Sequence, residues 1–149
     1  MPKFMLSTFA FLELLSSGRT NSPVGQEPLS DLCISAVSVE WISAEIEHNP
    51  AFHPADRVTW RTNHGLLCRR LQAYGNVVDL GLSAIGVWGQ LRLVDLSHAD
   101  PSNGSRTEMP LEERFVVATA IATKQTYVSP PRDWNVVLQN RTGLSVTIV

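Results

Sequence analysis

The stretch FMLSTFAFLEL, from Phe4 to Leu14, begins with the pattern of a buried strand and continues with that of a helix. Three apolar residues lead into Ser7 and Thr8, and a helix-like pattern with Glu13 follows. Many α/β proteins place functional groups where a strand ends and the next helix begins. Serine and threonine also favour helix N-caps for local reasons alone. The stretch therefore predicts a strand-to-helix unit and leaves a functional site and a simple helix cap open.

Length and composition describe an ordinary globular protein. The 149 residues predict one domain, 1–149, that buries a single substantial core. The net charge of −2 predicts no avid nonspecific binding to nucleic acid, although a local patch stays open. No run approaches the roughly 20 apolar residues that span a bilayer, so we expect no membrane association.

The first residues and the cysteines bear on the compartment. Lys3 and the apolar stretch after it imitate a signal peptide, but Glu13 charges that stretch and no clear cleavage site follows. We therefore expect this segment to belong to the fold. Cys33 and Cys68 lack the spacing of a zinc site, which favours two buried free thiols in a cytoplasmic protein. The alternative is an exported protein with a Cys33–Cys68 disulfide.

Strand patterns alternate with helix patterns along the rest of the chain. The predicted strands are residues 4–6, 32–35, 76–80, 126–129 and 144–149. Helices are predicted after the first two strands and over residues 53–74, 82–96 and 111–125. Loops or turns are predicted over 16–31, 97–110 and 130–134, and the loop 16–31 has room for one helical turn. The helix residues expected to face the core are Val37, Trp41, Ala44, Val58, Leu66, Leu67, Leu71, Tyr74, Ile85, Trp88 and Leu91, with Ser83 as a cap.

This alternation predicts a parallel sheet that helices cover on both faces. Functional sites in such folds lie beyond the carboxyl ends of the strands. Ser7, Ser35 and Ser129 each end a predicted strand or follow one directly. We therefore expect these three side chains at the same edge of the sheet.

Five short motifs follow one another along the chain. They are LSTFAFLEL from Leu6, ISAVSVEWI from Ile34, WGQL from Trp88, EERFVVATA from Glu112 and VSPPRDW from Val128. Their order and spacing resemble those of the PIN-domain ribonucleases, in particular the VapC- and FitB-like toxins of bacterial toxin–antitoxin pairs. The resemblance covers nearly the whole chain. It implies a PIN-like three-layer α/β fold, with a central parallel sheet of four to five strands flanked by helices.

The resemblance also implies a site in which clustered carboxylates hold Mg²⁺ or Mn²⁺, and the ion activates water against RNA. The family's first aspartate falls on Ser7 and its helix glutamate on Trp41. Its third and fourth acids fall on Glu113 and Asp133, and Thr8 is kept beside Ser7. Two of the four acids are therefore missing, which predicts a degenerate metal site.

Two glutamates are candidates to replace the missing helix acid. Glu40 precedes Trp41 by one position and points about 100° away from it on a helix, whereas Glu45 lies about one turn, roughly 5.4 Å, further along the axis. The candidate metal ligands are Glu113, Asp133 and Glu40, with Glu45 as the alternative to Glu40. The candidate catalytic residues are Glu113, Asp133, Ser7 and Thr8.

Two functions fit this pattern, and the sequence leaves open whether the chain is an enzyme. The first is a VapC-related domain with a degraded metal site, which binds an antitoxin-like or assembly protein, or RNA, with little or no nuclease activity. The alternative is an active Mg- or Mn-dependent endoribonuclease toxin that uses Glu113, Asp133 and Glu40 or Glu45. In both cases the resemblance implies a homodimer or a heterodimer with a PIN homologue. Trp41 stacks on a base or fills the space of the lost metal site.

Overall fold

The computed structural model describes residues 3–17 and 27–149. Within these ranges the strands are β1 (Phe4–Leu6), β2 (Leu32–Ser35), β3 (Val77–Val78), β4 (Ser97–Ala99), β5 (Arg106–Glu108), β6 (Thr126–Ser129) and β7 (Val146–Ile148). The helices are α1 (Thr8–Ser17), α2 (Ala36–His48), α3 (Pro54–Ala73), α4 (Leu82–Leu91), α5 (Leu111–Thr123) and α6 (Trp134–Thr142). The predicted loop 16–31 lies partly outside the described residues, and its helical turn is present at Leu29–Asp31.

Five of the described strands form a parallel sheet in the order β3-β2-β1-β6-β7. The strand β1 lies in the middle, with Phe4 aligned to Leu32 on one side and to Thr126 on the other. This architecture confirms the predicted α/β class and the parallel sheet of four to five strands. The described helices include none that is long and apolar enough to cross a membrane.

Alternation along the strands divides the apolar core between the two faces of the sheet. Met5 and Tyr127 pack on one face with side chains of α4, α5 and α6. Leu6 and Val128 pack on the other face with α1, α2 and α3. Because successive strand residues point to opposite faces, the short strand β1 contributes to both cores. The result is the predicted three-layer arrangement of helices, sheet and helices.

Three predicted helix faces are wrong in part, and in α2 and α3 the true faces include polar residues. The buried residues of α2 are Ser38, Ile42 and Ile46, and those of α3 are His64 and Leu71. Serine and histidine do not contribute to an apolar pattern, so the predicted faces were rotated away from these positions. The residues predicted to face the core but found exposed are Ala44, Val58, Leu66, Tyr74 and Ile85.

The boundaries of α4 also differ from the prediction. The helix ends at Leu91, because the buried guanidinium of Arg114 in α5 donates to the carbonyl oxygens of Leu91 and Val94 at 2.7 and 3.1 Å. Its N-cap is Gly81 and not Ser83. A side chain distant in sequence therefore fixes where this helix stops.

Two elements were not predicted. The segment 97–110, expected to be a loop, contains the antiparallel hairpin β4-β5. The chain after the turn 130–134 forms α6, which ends at Gly143 in the left-handed conformation, with φ of 69°. The hairpin and α6 together determine where Asp133 lies.

A buried asparagine ties β3 to the start of β2. Asn76 is 2% exposed, and its Nδ2 donates to the carbonyl oxygens of Leu29, Ser30 and Leu32 at 3.2, 3.0 and 2.8 Å. The backbone carbonyl oxygen of Asn76 accepts from the backbone N–H of Ile34 at 3.0 Å. One side chain therefore satisfies three backbone acceptors at this edge of the fold.

Candidate functional site

The carboxyl ends of the central strands carry three buried serines, as expected. Ser7 follows β1, and its Oγ accepts from the backbone N–H of Ala10 at 3.0 Å, so it caps α1. Ser35 ends β2, and its Oγ accepts from the N–H of Val37 at 3.1 Å, so it caps α2. Ser129 ends β6 and is also buried. The helix-cap role, left open by the sequence, is therefore present at Ser7.

Glu113 is the buried acid of this edge. It lies in the first turn of α5 and is 6% exposed. Its Oε2 accepts from the backbone N–H of Thr8 at 3.3 Å, and its Oε1 accepts from the hydroxyl of Tyr127 at 2.5 Å. The Thr8 hydroxyl in turn pairs with the Ser38 hydroxyl at 3.0 Å. Glu113 therefore bridges α5, β6 and the start of α1.

Burial sets the protonation state of this acid. It raises the pKa of Glu113 above its ordinary value, although the hydrogen bonds from Tyr127 and Thr8 act in the opposite direction. The charge of Glu112 raises the pKa further. Burial also raises the pKa of the Tyr127 hydroxyl, and the neighbouring Glu113 adds to that shift. The environment therefore disfavours the ionised form of Glu113 relative to an exposed glutamate.

A cavity of about 300 Å³ opens beside Glu113, and we call it the aromatic cavity. Its apolar walls are Phe9, Leu12, Trp41, Ile42, Pro110, Pro130 and Trp134. Its polar lining residues are Ser7, Thr8, Glu45, Glu113, Tyr127, Ser129 and Arg132. Trp41, at the family's second acid position, is one of the walls. The charged groups that line it besides Glu113 are Glu45 and Arg132.

Asp133 lies at a different cavity, of about 880 Å³, with His98 and Asp100 among its lining residues. Its Oδ2 accepts from the backbone N–H of Ala99 in β4 at 3.0 Å and lies 3.5 Å from Nδ1 of His98. That Nδ1 also accepts from the backbone N–H of Asp133 at 3.2 Å. The hairpin β4-β5 therefore holds one oxygen of the Asp133 carboxylate, and Asp133 is not among the residues that line the aromatic cavity.

The predicted site residues are thus only partly assembled. Ser7, Thr8 and Glu113 meet at the aromatic cavity, and Glu45 lines it. Glu40 is exposed on α2 and is not among the lining residues of that cavity. Its role as a metal ligand, like that of Asp133, stays a prediction that the local contacts do not support.

The donor set does not fit a divalent metal ion. Mg²⁺ and Mn²⁺ prefer several charged or carbonyl oxygens at one point. No group of three or more His, Cys, Asp or Glu side chains among residues 3–17 and 27–149 is arranged to hold a metal ion. Both oxygens of Glu113 are already engaged by Thr8 and Tyr127. Among the described residues, the acids that the resemblance aligns with a PIN metal site are therefore not gathered at one point.

Sequence reasoning missed three residues of this site. Tyr127 was read only as part of a strand, Trp134 as the end of a turn and Arg132 as part of a motif. A signal existed for Tyr127, because alternation along β6 places it on the same face as Met5 of the neighbouring strand. A signal also existed for Trp134, because Trp134 and Leu138 lie four residues apart and Gly143 suits a helix end.

Solved structures with the same fold come from toxin–antitoxin complexes. The chain matches VapBC2 of Rickettsia felis, bound to a DNA fragment from its promoter, with a TM-score of 0.68, 14% identity and 98% coverage of both chains. It matches DNA-bound VapBC of Salmonella typhimurium with a TM-score of 0.64, 18% identity and coverage of 99% and 98%.

A third match is VapBC-5 of Mycobacterium tuberculosis, a member of the VapBC family of toxin–antitoxin systems, with a TM-score of 0.62, 12% identity and coverage of 99% and 100%. No family model and no curated protein matches the chain. At such identities the likeness establishes the fold, and it confirms the PIN-like, VapC-like fold that the motif order predicted.

Proposed function

We propose that this chain is a VapC-related protein that acts by binding a protein partner and has little or no metal-dependent nuclease activity. The observation that carries the proposal is the state of Glu113. Its two oxygens accept from Thr8 and Tyr127, and burial raises its pKa, which disfavours the charged carboxylate that a metal ion would bind. A metal-dependent nuclease needs charged oxygens at this point.

Exposed apolar side chains support a protein partner. Leu82, Ile85 and Leu93 follow one another at roughly helical spacing along α4 and just beyond it, and they are 87%, 43% and 78% exposed. Leu111, at the start of the adjoining α5, is 54% exposed. An apolar surface of this kind is typical of interfaces between proteins. We propose an antitoxin-like partner or a second PIN-type chain, acting in the cytoplasm with both thiols free.

A cleavage assay tests the catalytic half of the proposal. Purified protein is incubated with structured RNA and Mn²⁺ beside the double variant Glu113→Gln/Asp133→Asn. We expect equal, background cleavage by both proteins. Mn²⁺-dependent cleavage by the wild type that the double variant lacks would contradict the proposal and support the endoribonuclease alternative. Retention of RNA without cleavage would instead make RNA the bound partner.

Light scattering tests the partner half. If the α4 surface joins two copies, the wild type runs as a dimer and Leu82→Glu/Leu93→Glu runs as a monomer. The control is Val58→Glu, which charges an exposed valine on α3, 63% exposed. A dimer that both variants leave unchanged contradicts this surface as the interface.

A further inference from the structure

Helix α3 presents one stripe of residues to solvent along its whole length. Its buried residues are His64 and Leu71, and at about 100° per residue the positions farthest from them lie on one side of the helix. We call this stripe the outer α3 face. Its residues are Ala55, Val58, Thr62, Leu66, Arg69, Arg70 and Ala73, and all of them are exposed.

The middle of the outer α3 face is apolar, whereas a surface helix ordinarily carries charged and polar residues there. Val58 is 63% exposed and Leu66 is 48% exposed, with Thr62 between them. Val58 and Leu66 lie eight residues apart, which is about 12 Å along the helix axis. Exposed apolar side chains gathered on one surface are typical of contacts with a partner, which removes them from water.

The free charges of this face have one sign. Helix α3 carries four arginines and one acidic residue, Asp56, in a chain whose net charge is −2. Arg61 already pairs with Glu47 at 2.6 Å. Arg69 and Arg70 make no ion pair with any residue of 3–17 and 27–149, and Asp56 lies at the other end of the helix. The carboxyl-terminal part of the outer α3 face therefore complements an acidic surface.

A glycine borders the face without a reason in the fold itself. Gly65 lies inside α3, where glycine is less favourable than alanine. A Cβ at this position would meet no described atom within 4 Å, and the φ of Gly65 is not positive. Packing and backbone conformation therefore do not require glycine here. The missing side chain does permit the close approach of another backbone beside Thr62 and Leu66.

We propose that the outer α3 face binds an acidic amphipathic helix of a partner protein. Its apolar side chains pack on Val58 and Leu66, its carboxylates accept from Arg69 and Arg70, and its backbone comes closest at Gly65. A partner helix of about 20 residues has the length of α3 and would pack along it. An RNA suits the face less well, because two free cations neutralise few phosphates and the middle of the face is apolar.

This surface goes beyond the proposed function and does not depend on it. Helix α3 packs on the face of the sheet that carries Leu6 and Val128, whereas α4 packs on the opposite face. The chain therefore has two separate surfaces for partners. The variant Leu82→Glu/Leu93→Glu, which tests the α4 surface, should bind a ligand of the outer α3 face as the wild type does.

Fluorescence anisotropy with the full chain and two labelled peptides tests the proposal. The probe is a helical peptide of about 20 residues, with leucine and alanine on one side and glutamate on the flanks, and its twin has lysine for every glutamate. We expect the glutamate peptide to bind with a Kd below about 100 μM and the lysine peptide at least about tenfold more weakly. Arg69→Gln/Arg70→Gln should weaken the glutamate peptide about tenfold. The control Arg92→Gln/Arg141→Gln removes two exposed arginines elsewhere and should leave its binding unchanged.

The variant Gly65→Ala separates contact with a partner from a role in the fold. Alanine favours a helix, so the melting temperature should rise by about 2–4 °C. Binding of the glutamate peptide should nevertheless weaken about tenfold, because the added methyl group holds the partner backbone away. Equal binding of the two peptides, no saturable binding of the glutamate peptide, or unchanged binding by Gly65→Ala or by Arg69→Gln/Arg70→Gln would each overturn the proposal. A short single-stranded RNA that binds in place of the glutamate peptide, and is lost in Arg69→Gln/Arg70→Gln, would overturn it in favour of a nucleic acid.

Discussion

Replacing Glu113 with glutamine removes the ability of this side chain to ionise and keeps its shape. In the native chain Glu113 accepts from the Thr8 N–H and the Tyr127 hydroxyl. The glutamine oxygen can still accept from Thr8, and the glutamine N–H₂ can donate to the Tyr127 oxygen once that hydroxyl rotates. Size and contacts are thus retained, and the ability to ionise is lost.

The magnitude of the effect follows from proton linkage. Burial raises the pKa of Glu113 above its ordinary value of 4.5, so the native state keeps a proton that the unfolded state releases. Where the native state binds the additional proton, the free energy of unfolding falls as the pH rises. For one proton the slope is about 1.4 kcal/mol per pH unit, from the unfolded pKa up to the raised folded pKa. Above the folded pKa the loss becomes constant.

Urea denaturation from about pH 4 to about pH 9 measures this slope for the wild type and Glu113→Gln. Subtracting the two curves isolates Glu113, and we expect the wild type to lose stability relative to the variant as the pH rises. Glu108→Gln, an exposed carboxylate of β5, corrects for the change in net charge. A difference that instead grows in favour of the wild type would show an ionised, stabilised carboxylate. That result would refute the raised pKa of Glu113 that supports the proposed function.

Three other measurements address the site and its support. Ser7→Asp/Trp41→Glu introduces acids at both positions, so Mn²⁺ should raise the melting temperature of this variant but not that of the wild type. Equal shifts of the two melting temperatures would contradict the conclusion that the native donor set does not fit a divalent metal ion. Asn76→Ala should lower the free energy of unfolding by about 1–3 kcal/mol in urea, because the carbonyls of Leu29, Ser30 and Leu32 lose their side-chain donor, and a change under about 0.5 kcal/mol would contradict this role. Burial raises the pKa of Cys33 to about 12 and that of Cys68 to about 11. A thiol reagent near pH 8 should therefore label both cysteines only after denaturation. Prompt labelling of the native chain would contradict the burial of these thiols.

The sheet was predictable because its signals are local. The apolar run Phe4–Leu6 and the segment Leu32–Ser35 each end in or before a small polar residue that caps the next helix. Such signals need no knowledge of distant contacts. The order of the motifs then fixed the family likeness and, with it, the parallel arrangement. This is why the fold was predictable from one sequence at identities to known structures of 12–18%.

The positions of the acidic side chains depend on contacts between residues distant in sequence, so they were only partly predictable. Asp133 was expected at the Glu113 site, but it begins α6 and its side chain is held by the N–H of Ala99. A signal for α6 was available, since Trp134 and Leu138 are four residues apart and Gly143 suits a helix end. No sequence signal was available for the hairpin contact with Ala99, because it joins residues 34 positions apart.

Ser7 and Trp41, the residues at two of the expected acid positions, are both uncharged, which suits the burial of Glu113. A buried carboxylate without a cation is costly when charged, and a second carboxylate nearby raises that cost. Ser7 supplies the N-cap oxygen that an aspartate would also supply, so α1 keeps its cap without the charge. Trp41 replaces the other charge with an aromatic wall. Restoring either acid alone would place like charge beside Glu113 with no ion to hold, whereas restoring both creates a ligand set. Ser7 and Trp41 therefore leave Glu113 without a second carboxylate at the positions where the resemblance expects one.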